Sequence, residues 1–151
     1  MIVYKEEQLK DFILEFAELL KPHMSEISVT EKLGFEFKPD YIKYVKLQEL
    51  GVLVVITCRD DEKLIGYSVF GISQHIRYTD CKLAKEDLYY IAPEYRGKGL
   101  GKRLFIETEE VLKKHGVNQI ILTTKVYSDN SHILGKLGYD FFEKVFTKRI
   151  L

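Results

Sequence analysis

The sequence is short of cysteine. The two present, Cys58 and Cys81, show no C-x-x-C spacing and no metal-type clustering, and they read as ordinary buried or half-buried thiols. The four histidines, His23, His75, His115 and His132, fall into no H-E-x-x-H or similar pairing, so no metal site is expected. Net charge is missing as well, with 23 lysines and arginines against 23 aspartates and glutamates. No global basic field argues for nucleic acid, no acidic tail argues for a basic partner, and any charge effect must be local. No apolar run approaches the ~18 residues that a membrane span needs. The opening Met1-Ile2-Val3-Tyr4-Lys5-Glu6-Glu7 lacks the basic and then apolar order of a secretion signal. The expectation is a cytoplasmic protein that does not engage a membrane. Repeats, linkers and polar low-complexity runs are absent too. With 151 residues, 46% of them apolar and 13% aromatic, the chain suits one ordered domain over residues 1–151. A domain of this size buries roughly two-thirds of its unfolded surface without covalent staples.

What the sequence does contain is organised around Tyr90-Ile91-Ala92-Pro93-Glu94-Tyr95-Arg96-Gly97-Lys98-Gly99-Leu100-Gly101, where an apolar strand breaks at proline and restarts as a helix. Glycines at alternate positions let the backbone turn sharply and approach a ligand closely. Beyond them Leu104, Thr108, Val111, Leu112 and His115 recur at helical spacing, and Gly116 sits where a C-terminal cap is expected. A helix that begins at such a turn aims its unpaired N–H groups and positive dipole end into it, an arrangement that suits a phosphate. Arg96, Lys98 and Lys102 add cationic charge. Two familiar phosphate motifs fail. A Walker loop ending at Lys102 needs glycine at Arg96 and serine or threonine at Arg103, and the dinucleotide fingerprint needs glycine at Lys102.

The remaining elements follow in order. Leu9, Phe12, Ile13, Phe16, Leu19 and Leu20 predict an amphipathic helix over residues 6–20, stopped by Pro22. Asp40 is placed to cap a second helix through Tyr41, Tyr44, Val45 and Leu47 to Gly51. The runs 52–58 and 64–72 across a polar turn predict a hairpin, residues 87–91 a third strand, 119–124 a buried strand, 128–137 a short helix, and the alternating 142–151 a final strand. That final strand is also an edge suited to pairing with a second copy in a homodimer. Strands and helices in this order give an α/β (α+β) class with one mixed sheet.

The motif (Ile/Val)-x-Pro-x-x-Arg-Gly-x-Gly-x-Gly at a strand-to-helix junction resembles the acetyl-CoA pyrophosphate loop of GCN5-related N-acetyltransferases. The order of elements matches that fold along nearly the whole chain. The resemblance implies a mostly antiparallel mixed sheet flanked by helices, with Arg96, Gly97, Lys98, Gly99, Leu100, Gly101 and Lys102 around the diphosphate of acetyl-CoA. Backbone groups of Tyr90, Ile91 and Ala92 would pair with the pantetheine arm where the strand splays from its neighbour. The early helices would flank the acceptor, their tyrosines either shaping its site or packing in the core. A glutamate on the strand before the turn often serves as base in the family. Here Lys85 occupies one register of that glutamate, and Asp87 and Glu86 are the candidates. Strand alternation puts Asp87 on the face of Tyr89 and Ile91 and turns Glu86 the other way unless a bulge intervenes, which favours Asp87. The alternative is a solvated acidic pair at a strand entrance.

Many relatives read Asn, six residues, then Tyr, four places before a Gly-Phe or Gly-Tyr pair. Counting back from Gly138-Tyr139 puts Leu134 at the tyrosine position and Tyr127 at the asparagine position, so the usual general acid is absent. Tyr127, and less so His132, are the candidate replacements. The leaving thiolate, with an unperturbed pKa of about 8.5, makes a dedicated acid dispensable. Three functions are thus in play. The first is an acetyl-CoA-dependent N-acetyltransferase acting on a primary amine of a small molecule or protein. The second is a catalytically weak acyl-CoA-binding module of the same fold, and the third is a binding domain that uses the basic residues around the glycine turn.

Overall fold

The computed structural model describes residues 1–151. Five strands form one sheet in the order β1 (Ile2–Glu6), β2 (Leu53–Asp60), β3 (Lys63–Gln74), β4 (Lys82–Ile91) and β5 (Gln119–Ile121). The first four strands pair antiparallel, and β5 runs parallel to β4. The helices α1 (Ile13–Ile27) and α2 (Tyr41–Glu49) cover one face, α3 (Leu100–Lys114) covers the other, and the short α4 (Ser131–Lys136) follows β5. This is the mixed α/β sandwich that the sequence predicts.

Strands β2 and β3 are buried on both faces, and their side chains divide between two cores. Leu53, Val55, Tyr67 and Val69 join Phe12, Phe16 and Leu20 under α1 and α2. Val54, Ile56, Phe70 and Ile72 join Leu104 and Leu112 of α3. Two polar side chains cross the second core, where the Ser68 and Thr108 hydroxyls lie 2.7 Å apart, both buried. This pair fixes the rotation of α3, whose first turn carries the glycines, against the middle of the sheet.

Asp40 caps α2 through Lys43 N–H at 2.9 Å, and the β2–β3 hairpin turns through Asp61. Three expectations are corrected. Residues 2–6, which carry no early element in the sequence reading, form β1, because the neighbouring edge of β2 offers a partner from Ile56 to Asp60. The first helix begins at Ile13, after a 3-10 turn over Leu9–Asp11, and runs through Pro22 to Ile27. Proline removes one intrahelical hydrogen bond and crowds the preceding turn, at about 3 kcal/mol. Burial of Leu20 and His23, and a doubly bonded ion pair between Glu26 and Arg96, offset that cost. Third, residues 142–151 form no strand. The outer edge they would need is β5, which is three residues long, and the tail is instead held through Arg149, which donates to Leu33 O at 2.9 Å and lies over the Phe35 ring.

Removing one hydroxyl of the Ser68–Thr108 pair strands the other in an apolar core. Thr108→Val is expected to lower the unfolding free energy by about 1–3 kcal/mol, and Ser68→Ala combined with Thr108→Val by less than the sum of the single changes. Urea unfolding of the three variants checks this, and strict additivity would refute the pairing.

Candidate active site

The site is built where β4 loses a neighbour. Leu83, Ala84 and Lys85 pair with Gln119, Ile120 and Ile121, and there the parallel ladder ends, while β4 stays paired to β3 as far as Ile91. The Ala92 N–H donates to Ile65 O at 2.8 Å, which sets the phase of the antiparallel ladder. The N–H groups of Tyr90 and Leu88 therefore also face β3, and those of Tyr89 and Ile91 face the open side. Of the three residues expected along the pantetheine arm, Ile91 presents its N–H to the gap, while those of Tyr90 and Ala92 are taken. Tyr89 supplies the second free N–H.

After Ile91 the chain makes a 3-10 turn over Pro93–Tyr95 and enters the glycine loop. Gly97 and Gly99 have φ of +77° and +78°, a region costly to any residue with a Cβ, and this conformation delivers the chain into α3. The first helical bond is Arg103 N–H to Gly99 O. None of the six N–H groups from Gly97 to Lys102 donates to any atom of the chain. The cations around them are arranged differently from the expectation. Arg96 donates from Nε to Ile91 O at 2.9 Å and pairs with both oxygens of Glu26 at 3.0 and 2.8 Å, tying the loop to the last turn of α1. Lys98 lies over the Tyr95 ring, and Lys102 makes no ion pair and is exposed. An anion at this loop meets main-chain amides and a helix end first, and lysines second.

Two cavities open beside β4. The smaller, about 110 Å³, fills the gap between β4 and the chain after β5, with Glu86, Tyr89, Phe105, Thr124 and Leu134 among its walls and His23 closing it from α1. The larger, about 410 Å³, lies between the end of α1, residues 28–40 and β4, and is walled by Met24, Phe35, Phe37, Tyr44 and Leu88 among others. Ile27, Asp87 and Lys125 border both, so the two spaces meet at Asp87.

Asp87 and Glu86 are sorted by a bulge. Val69 pairs with Leu88 and Phe70 with Glu86, which leaves Asp87 as the extra residue. Simple alternation is thereby reversed. Glu86 joins Ala84, Tyr89 and Ile91 on the α3 face, and Asp87 turns towards α2, where its Oδ2 accepts from Tyr44 Oη at 2.5 Å. Glu86 accepts from the Thr123 N–H at 3.1 Å, bridging the gap that the ladder has left. Burial pushes its carboxyl up to about 6, against the opposing pull of the Thr123 N–H and Lys125.

Tyr127 and His132 are not brought to the cavities. The Tyr127 hydroxyl donates to Ile27 O at 2.5 Å, pinning the turn before α4 to the end of α1, and His132 is exposed on α4. Leu134 does line the smaller cavity. The sequence did not single out His23, Thr124 or Lys125 for the cleft. A histidine on the buried stripe of a helix just after a proline was the available signal for the first.

The sequence model of the acetyltransferase (GNAT) family matches residues 13–139. The chain belongs to that family. No curated protein sequence matches it. Among solved structures it resembles a ribosomal-protein-alanine N-acetyltransferase from Brucella melitensis, at 18% identity and a TM-score of 0.74 over 99% of both chains. A glucosamine-6-phosphate N-acetyltransferase from Arabidopsis thaliana aligns at 18% identity and TM-score 0.75 over 99% of this chain and 98% of that one. A structure from Clostridium acetobutylicum, described as a predicted acetyltransferase with acetyl-CoA, aligns at 14% identity and TM-score 0.73 over 99% and 96%. The likeness to these structures is one of fold.

The raised Glu86 carboxyl has a thermodynamic consequence. The folded chain holds this proton more tightly than the unfolded one, so stability is highest below about pH 4.5 and falls as the pH rises through about 6. The gap is worth about 2 kcal/mol. Glu86→Gln keeps an acceptor for Thr123 and removes the charge. It is expected to be about 2 kcal/mol more stable than the parent at about pH 7.5 and equal to it at about pH 4. Urea titrations at both pH values decide this, and a difference that does not change with pH would exclude the raised Glu86 carboxyl.

Proposed function

We propose that the chain is an acetyl-CoA-dependent N-acetyltransferase that acetylates a primary amine by direct attack on the thioester. The observation that carries this reading is the run of six unpaired N–H groups from Gly97 to Lys102, at the start of α3 and beside the open edge of β4. A diphosphate suits such a run without any arginine contact, because the amides give up no partner within the chain and the helix end favours negative charge. The free N–H groups of Tyr89 and Ile91 suit the amide oxygens of a pantetheine arm in the gap. When bound, acetyl-CoA supplies an acyl group on a good leaving group, a thiolate of pKa about 8.5. The solved structure with acetyl-CoA and the two N-acetyltransferases of like fold support the reaction class. Their acceptors, by name a protein alanine and glucosamine 6-phosphate, differ from each other.

The chain's own part is to orient the acceptor and move its proton. A lysine-type amine, with pKa near 10.4, costs roughly 4–5 kcal/mol to neutralise at pH 7. Asp87 stands where the larger cavity meets the smaller, with Oδ2 held by Tyr44 and Oδ1 free of any hydrogen bond. Oδ1 takes the ammonium proton, and the Tyr44 hydroxyl holds the carboxylate in place. Glu86, its carboxyl pushed up to about 6 by burial, lines only the smaller cavity and is tied to Thr123. A second reading, acyl-CoA binding with weak turnover, is favoured by the occupied Tyr127 hydroxyl and by Leu134 at the cavity wall. A thiol-release assay across a panel of amines separates the two.

Calorimetry with acetyl-CoA tests the cradle. Gly99→Glu places bulk and negative charge in the loop and is expected to weaken binding by at least about 100-fold, whereas Gly99→Ala, which shares the backbone strain, retains most of the affinity. Equal affinity for the parent and the glutamate variant would sink the assignment. Asp87→Asn is expected to lower kcat/KM by about 10²-fold at neutral pH and to approach the parent rate as the pH nears the amine pKa. A deficit that stays constant to about pH 10 would remove Asp87 as the base.

A further inference from the structure

His23 follows Pro22 on α1, is 1% exposed, and has its Nδ1 at 2.8 Å from Tyr67 Oη. Tyr67 is fully buried, and His23 is the only partner of its hydroxyl. A hydroxyl hydrogen left without an acceptor in that core would cost ~1–3 kcal/mol. Tyr67 therefore donates and Nδ1 accepts, which places the hydrogen of a neutral imidazole on Nε2. The Tyr90 ring stacks on His23 at 4.4 Å and 20°, so the imidazole cannot swing. Burial first, and then the charges of Arg96 and Lys125, hold its pKa down to about 4, and the ring is uncharged at neutral pH. Nε2 has no partner within the chain, yet no fully buried side-chain nitrogen lacks one. The atom meets open space where His23 lines the smaller cavity.

We propose that His23 is a fixed, uncharged N–H donor to the acyl-thioester group in the cleft, aimed by Tyr67 as a positioning residue. The inference rests on the acetyl-CoA reading above. The cleft also holds two carboxylates, Glu86 and Asp87, against the one lysine, Lys125, and the carboxylates oppose negative charge building on the acyl oxygen or sulfur. A donor already oriented by the fold stabilises that charge with no reorganisation. No bond to hydrogen breaks at His23, because the Nε2–H is shared and not transferred. With that position occupied the ring cannot accept the amine proton, which sets this role apart from that of a histidine base and leaves the proton to Asp87.

Nitrogen-15 NMR of the full chain reads the tautomer directly. The expected result is a His23 ring protonated on Nε2, whose Nε2–H resonance moves when acetonyl-CoA, a carbonyl-bearing analogue that cannot transfer its acyl group, is added, and moves less with coenzyme A. An Nδ1–H tautomer overturns the proposal, as does an unmoved Nε2–H while calorimetry shows acetonyl-CoA bound. No binding in the calorimeter would remove the acetyl-CoA reading and this inference together, so the two failures are distinguishable. In turnover, His23→Leu is expected to lower kcat by about 10²-fold with KM for acetyl-CoA little changed, and His23→Gln, which keeps an N–H, to recover part of the loss. Tyr67→Phe is expected to mix the two tautomers in the same spectra, and a spectrum unaltered by that change would remove Tyr67 as the aiming group.

Discussion

Everything in the site depends on β4 having one full neighbour and one partial neighbour. Its ladder with β3 holds it rigid from Lys82 to Ile91, while its ladder with β5 stops after three residue pairs. Backbone groups left unpaired inside a protein are costly, and they persist here because they face a cleft. A strand paired on both sides would have sealed that cleft, hidden the N–H groups of Tyr89 and Ile91, and left the glycine loop opening onto nothing.

One inserted residue adds chemistry to this geometry. The bulge at Asp87 turns two adjacent carboxylates to opposite faces of the sheet. Glu86 enters the gap, loses solvent and becomes a weak acid, while Asp87 reaches the mouth of the larger cavity and the hydroxyl of Tyr44. Neighbours in sequence thereby acquire separate environments, a recurring means of giving two like groups different roles. The ion pair between Arg96 and Glu26 then fastens the loop to the end of α1, so the wall of the larger cavity and the glycine turn share a brace.

Much of this was legible in the sequence because it is local. The cap at Asp40, the β2–β3 hairpin, the glycine turn and the amphipathic α3 each declare themselves within a few residues. What was not legible depends on partners far along the chain. Pro22 reads as a helix stop until Arg96, 70 residues on from Glu26, is seen to hold the final turn. The bulge at Asp87 is set by pairing with Val69 and Phe70. The tail at 142–151 has the alternation of a strand, but alternation supplies no edge to pair with. His23 looked inert, and its tautomer is fixed by a tyrosine 44 positions away.

The glycine loop presents unpaired backbone N–H groups, with its one arginine committed to Ile91 and Glu26. Such a device asks that bulk and negative charge stay out of the turn and that positive φ be accommodated at Gly97 and Gly99. A requirement met by main-chain atoms is one that widely different sequences can satisfy, and the same architecture is found at 14–18% identity.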